Sequence, residues 1–113
     1  MTNIPWTKEL PGAITVCDTA GVIVEMNDRS VKAFEKQGGR ALIGTNLLDC
    51  HPEPSRTKLQ QMLTTPQVNA YTIEKGGRRK LIYQTPWYEN GRHCGLIEIA
   101  LPLPGPLPHF VRD

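Results

Sequence analysis

The chain has 113 residues, with 13 lysines and arginines against 11 aspartates and glutamates, a formal charge of +2. That length suits one domain with its own apolar core, which needs neither a disulfide nor a metal to hold it. Ten glycines and ten prolines exclude a helical bundle, and the near-balanced charge gives no reason to expect nucleic acid as a partner.

Residues 1–12 form a polar lead-in with one large apolar anchor, Trp6, ending at Pro11-Gly12. The β-branched run Ala13-Ile14-Thr15-Val16-Cys17 predicts a strand, stopped by Asp18-Thr19-Ala20-Gly21. Val22-Ile23-Val24-Glu25-Met26 predicts its hairpin partner, with Val22, Val24 and Met26 on one face at period two. The period then changes. Asn27 can cap a helix carrying Val31 and Phe34, which Gly38-Gly39 ends, and Arg40–Ile43 predicts a second helical turn closed by Gly44.

Prolines 52 and 54 exclude interior helix across Cys50–Pro54. An amphipathic helix follows from Pro54 or Ser55, with Leu59, Met62 and Leu63 on one face and Pro66 as its stop. Three strands close the chain: Val68–Glu74, Arg79–Tyr88 and His93–Leu101, joined by Lys75-Gly76-Gly77 and Glu89-Asn90-Gly91. Pro86 belongs at an edge, a bulge or a strand end. The order β-β-α-α-α-β-β-β predicts an α+β fold, a five-stranded antiparallel sheet with helices inserted between strands 2 and 3. Residues 13–101 make the domain, and residues 102–113 a Pro-rich extended tail acting as a spacer or surface strap.

Cys17, Cys50 and Cys94 are odd in number and widely spaced, unlike a disulfide framework. No apolar run nears the roughly 20 residues of a membrane-spanning helix, and the first ten residues lack a secretory signal's apolar stretch. The expectation is a cytoplasmic protein without a membrane partner.

The order of elements resembles the PAS domain, a sensory and dimerisation module of signalling proteins. The resemblance covers residues 10–101 and rests on Asp18-Thr19-Ala20-Gly21, Val22–Asn27, Leu42-Ile43-Gly44-Thr45-Asn46-Leu47 and the closing Gly95–Ile99. It implies a cavity between sheet and helices, which some members fill with haem, flavin or a small organic ligand. Two departures count against the known cofactors. Leu47 stands where the flavin branch has its reactive Cys after Gly-x-Asn, and that branch's ring-holding amides align with Thr72 and Ile82. Pro52-Glu53-Pro54 matches a segment of the haem branch, but its iron-ligand position falls near Leu59, so both flavin and haem are disfavoured and the cofactor is unknown.

Cys50-His51 is the sharpest chemical pair, and packing or loop-capping is its ordinary role. A haem- or redox-responsive sensor using His51 or Cys50 is the alternative, with His51 a weak metal-ligand candidate. In the middle closing strand, Leu81, Tyr83, Thr85 and Trp87 share one face and Ile82, Gln84, Pro86 and Tyr88 the other. The candidate pocket comprises Asn46, His51, Leu59, Tyr71, Tyr83, Trp87 and Ile97. Trp6 and Tyr88 are candidates for a dimer surface. Gly76-Gly77-Arg78-Arg79-Lys80 lacks the phosphate-loop pattern and reads as a solvated turn. No ordering of Ser, His and Asp and no paired carboxylates point to catalysis. The expected function is a non-enzymatic sensor or interaction domain of signal transduction, binding a small ligand in its cavity, mediating homodimerisation, or both, and acting on a signalling partner in trans. A small-molecule enzyme is the least favoured alternative, and a cavity lined only by aliphatic side chains would exclude it.

Overall fold

The computed structural model describes residues 4–113; Met1, Thr2 and Asn3, where the expected lead-in begins, lie outside the described residues. The chain runs through β1 (Ala13–Asp18), β2 (Ile23–Met26) and helix α1 (Asp28–Ala33). Three 3-10 turns (Glu35–Gln37, Gly39–Leu42, Leu47–Cys50) lead to helix α2 (Ser55–Thr64), followed by β3 (Asn69–Lys75), β4 (Arg78–Glu89) and β5 (Arg92–Pro102). All five strands join one antiparallel sheet in the order β2-β1-β5-β4-β3. The α+β architecture is the expected one. Long β5 pairs with β1 on one side and β4 on the other, so the two ends of the chain meet at the centre of the sheet.

The first hairpin turns where Asp18 accepts hydrogen bonds at Oδ1 from the amides of Ala20 (3.0 Å) and Val22 (2.9 Å). Gly21 then takes a φ of +88° that a residue with a side chain would resist. The expected face of Val22, Val24 and Met26 is corrected here. A bulge in the β1–β2 pairing sets Thr15 opposite Met26 but Cys17 opposite Ile23, so Ile23 and Met26 are buried and Val24 is exposed. One extra residue breaks the alternation.

Asn27 fixes the junction of sheet and helix. Its buried side chain accepts from the amides of Ile14 (2.8 Å) and Ser30 (3.0 Å) and donates to the carbonyls of Thr7 (2.9 Å) and Gly12 (2.8 Å). It thus caps α1 and ties the lead-in to β1. Farther on, Pro54 occupies the cap position of α2, and its apolar ring makes no capping hydrogen bond. Glu53 acts instead, accepting from the Thr57 amide at 2.8 Å and from the Thr57 hydroxyl, which holds its carboxyl below the usual range.

Helix α2 lays Leu59, Met62 and Leu63 on the sheet, against a core that includes Cys17, Ile23, Met26 and Leu96. Each fully buried apolar side chain of this size stabilises the fold by roughly 1.5–3 kcal/mol. Only the β2-β1-β5 side of the sheet carries this helical layer, as α1 contacts β1 and β2 while α2 contacts β5. Pro86 falls inside β4, paired with Leu96 of β5. Its missing N–H costs nothing, because β3 begins at Asn69 opposite Gln84 and leaves β4 unpaired on that side beyond it. No helix among the described residues is long and apolar enough to cross a membrane.

Candidate functional site

Between the sheet and the inserted segment lies a cavity of about 130 Å³. Its floor is the inner face of β1, β2 and β5, with Thr15, Cys17, Ile23, Met26, Leu96 and Glu98. Its roof is Phe34, Leu42, Leu47 and Leu59, and Gln37, Cys50 and His51 complete the wall. An apolar enclosure with a few convergent polar groups is the composition of a small-molecule site.

The polar groups are anchored. Asn69 Nδ2 donates to Gln84 Oε1 (2.9 Å), and Gln84 Nε2 donates to Glu98 Oε2 (2.8 Å), a chain of contacts crossing β3, β4 and β5. Burial pushes the Tyr71 hydroxyl above its ordinary pKa, and the negative charge of Glu98 adds to the effect. His51 Nδ1 sits 2.7 Å from the Leu47 carbonyl, which fixes the ring at the end of its 3-10 turn. The Cys17 thiol is pushed up to about 11, mainly by burial, so it is a neutral part of the floor at physiological pH.

The seven sequence-predicted pocket residues separate. His51 and Leu59 line the cavity. Asn46 does not: it accepts from the Leu48 amide (2.9 Å) and donates to the Ala20 carbonyl (2.9 Å), bracing a turn against the first hairpin. Tyr71 pairs with buried Ile82 and so shares the inner face, yet it is 45% exposed and stands beyond the cavity. Tyr83, Trp87 and Ile97 lie on the outer face, opposite the helices. The alternation within β4 was read correctly, but the buried face is that of Ile82 and Gln84. Trp87 closes the outer face over Gly95, its indole Nε1 donating to the Cys17 carbonyl at 2.9 Å. Sequence reasoning missed Glu98 and Gln84. Their signal was a pair of polar residues at inner-face positions of two central strands.

The chamber is small for either cofactor that the resembling family carries. Sites for drug-sized ligands span about 300–1,000 Å³, and the cavity here is well below that. Leu59, aligned with the haem branch's ligand position, lines the cavity with a side chain that cannot bind iron, so an axial ligand would have to come from His51 or Cys50 in the wall. Thr72 and Ile82, read as the amide positions of the flavin branch, fall on opposite faces, since Thr72 pairs with Leu81 and Ile82 with Tyr71. The inner-face amides are those of Asn69 and Gln84. The proposed dimer residues are open: Trp6 is 67% exposed and Tyr88 55%, the latter tilted against His93.

No protein-family model matches the chain, and no curated protein matches its sequence. Solved structures do match. The PAS domain of BvgS from Bordetella pertussis superposes with a TM-score of 0.61 at 19% identity, over 88% of this chain and 82% of that one. The Aer2 receptor from Vibrio cholerae, described as a dual PAS-haem oxygen sensor, gives 0.60 at 14% identity over 81% and 94%. VqmA bound to DPO gives 0.62 at 20% identity, over 87% of this chain and 55% of that one. These likenesses rest on backbone shape, in the same order of strands and inserted helices read from the residues above. The chain has the fold of a PAS domain.

Proposed function

We propose that this chain is a sensor and interaction domain of signal transduction, with residues 13–101 as the sensing body between a lead-in (1–12) and an extended tail (102–113). Its ligand is a small, largely apolar molecule with one hydrogen-bond donor, received by Glu98 and flanked by His51, with Leu59 above. The observation that carries this reading is the apolar cavity with an anchored carboxylate in its wall. VqmA, with the same fold, is described as bound to DPO.

Pairing of two copies through the outer sheet face is the second half of the proposal. There Val16, Tyr83, Ile97 and Ile99 form a half-exposed apolar ridge; Trp6 and Tyr88 are exposed aromatics as well, Tyr88 at the opposite parity of β4. Ligand binding below the sheet and pairing above it would favour one of two arrangements, and that bias passes to a partner in trans.

The cavity is not purely aliphatic, so its lining alone does not exclude catalysis. The non-enzymatic reading is favoured because Glu98 is held by Gln84 and His51 by a backbone carbonyl, and neither bonds to a nucleophilic side chain. A redox sensor would depend on Cys50, which is exposed at the cavity wall.

Native mass spectrometry of the full chain tests both halves. The expected result is a dimer carrying a small bound mass, which Leu42→Phe, filling the roof, removes without unfolding the protein. A monomer at high concentration would overturn the pairing. Failure of any apolar compound in a small-molecule library to bind the intact chain or raise its melting temperature would overturn the ligand.

A further inference from the structure

The helical layer stops short of the β3–β4 hairpin, and a second, larger cleft of about 1,100 Å³ opens there. Its walls are the hairpin, Arg29 of α1 and the chain from Pro102 to Pro106, which is tied back where the Leu103 amide donates to the Arg79 carbonyl at 2.9 Å. Arg29, Lys75, Arg78, Arg79 and Lys80 line it against a single carboxylate, Glu74. Glu74 already pairs with Arg79 at 3.2 Å. The acid beside Arg29, Asp28, is engaged by Lys8 and Arg40. Among the described residues, Arg29, Lys75, Arg78 and Lys80 have no ion-pair partner, in a chain whose total charge is only +2.

Register gathers these cations on one side. Lys75 pairs with Arg78, and Lys80 with Ile73 and Pro102. All sit at the same parity as buried Ile82, so they face the side on which α1 packs. Strand β3 is also an edge of the sheet, with one row of backbone N–H and C=O groups unpaired. Along the cleft side, that edge presents Tyr71, then Ile73, then Lys75.

We propose that this edge and cleft receive an extended acidic segment of a partner protein, added to the sheet as a sixth strand beside β3. The segment's backbone would pair with β3. On one face of the added strand an apolar side chain would rest on Ile73 and a carboxylate would meet Lys75, while Arg78, Lys80 and Arg29 add positive field from further in. A polypeptide is favoured over a nucleic acid because no aromatic side chain lines the cleft and Tyr71 stands alone on the edge beside it, too few to stack successive bases. It is favoured over an anionic membrane because only another chain can use the free row of backbone groups.

The test titrates the full chain against a fluorescein-labelled peptide of the repeat Val-Thr-Glu-Thr, which sets valine and glutamate in turn on one face of a strand, read by fluorescence anisotropy. Saturable binding is expected, weakened roughly tenfold or more by Lys75→Glu/Arg78→Glu and independently by Arg29→Glu. N-methylation of alternate peptide nitrogens should abolish it. All three substituted positions are exposed, and unchanged circular dichroism would confirm that the variants fold. Binding indifferent to charge reversal or to N-methylation would overturn the proposal. So would no binding at all, which would mean the cations only guard the edge. Tighter binding of oligothymidine or of phosphatidylserine vesicles would overturn it in favour of those surfaces.

Discussion

Gln84 Nε2 donates to Glu98 Oε2 at 2.8 Å across the central strands, and this contact holds a carboxylate in the wall of an otherwise apolar chamber. Gln84 is 5% exposed and links Asn69 to Glu98, so it has no solvent to replace either partner. Gln84→Ala should cost about 1–3 kcal/mol by urea denaturation, the penalty of stranding buried polar groups. Glu98→Gln should cost less, because an amide oxygen still accepts the Gln84 bond. Equal losses in the two variants would mean that packing, not hydrogen bonding, dominates there.

The same carboxylate reaches Tyr71. Tyr71's pKa is raised by burial first and by Glu98 second. The folded state therefore holds the phenolic proton more tightly than the unfolded chain does. Its contribution to stability is present below the ordinary value of 10 and fades as pH rises through the folded value. Spectrophotometric titration in a Tyr83→Phe/Tyr88→Phe background should show the Tyr71 midpoint moving down in Glu98→Gln. A midpoint unmoved by that change would remove the charge contribution and leave burial alone.

Asn27 concentrates four hydrogen bonds on one buried side chain. Asn27→Ala removes the α1 cap and orphans backbone groups in three segments, an expected loss of roughly 2–4 kcal/mol. Asn27→Asp keeps both accepting contacts but turns a carboxylate oxygen on the Thr7 and Gly12 carbonyls in place of the amide N–H, so its loss should match or exceed that of Asn27→Ala. Chemical denaturation checks the ranking wild type, Ala, Asp, and a milder Asp variant would mean that the two donations carry little.

Much of this architecture is legible in the residues, and the pattern of misses is physical. The Asn27 cap of α1, Asp18 and the turns at Gly76-Gly77 and Asn90-Gly91 act locally, so a few neighbouring residues specify them, whereas the bonds of Asn27 to Thr7, Gly12 and Ile14 do not. The face of β4 is different. Period two separates Ile82 and Gln84 from Tyr83 and Trp87, but which set is buried depends on the side to which the helices return. The aromatic residues suggested the wrong side, because size and hydrophobicity favour burial and an outer face covered by half-exposed aromatics reads the same. The bulge that exposes Val24 was equally invisible, since it is set by pairing with β1 rather than by the β2 residues. The basic cleft escaped for a third reason: Arg29 lies far in sequence from the hairpin it joins.

Two glycines separate steric demand from backbone preference. A Cβ on Gly95 would overlap the Cys17 carbonyl oxygen and lie 2.8 Å from the Asp18 Cα, and the residue has a φ of +147°. Gly95→Ala should therefore cost about 4 kcal/mol or more, enough to unfold much of the population. Gly91 has a φ of +78° but open space around it, so Gly91→Ala should cost only about 1–2 kcal/mol. Thermal melts of the two variants compare them directly, and similar melting temperatures would refute the close approach of β1 to β5.

The three thiols should react in the order of their surroundings. Cys50 is exposed, Cys94 is half-buried with its Sγ 3.3 Å from the Arg92 carbonyl, and Cys17 is buried with its pKa pushed up to about 11. Only the thiolate attacks iodoacetamide, so at mildly alkaline pH native protein should be modified first at Cys50 and last at Cys17. Mass-resolved labelling should find Cys17 modified only after denaturation. The same shift bears on stability. A folded pKa above the ordinary 9.0 gives a contribution that is complete below pH 9 and declines as pH rises towards 11, where the folded thiol also ionises. Cys17→Ala should flatten that part of the alkaline decline while lowering stability at neutral pH through the void it leaves. Rapid labelling of Cys17 in the native protein would show that the floor of the cavity opens to solvent, and the packed apolar floor on which small-ligand binding depends would not exist.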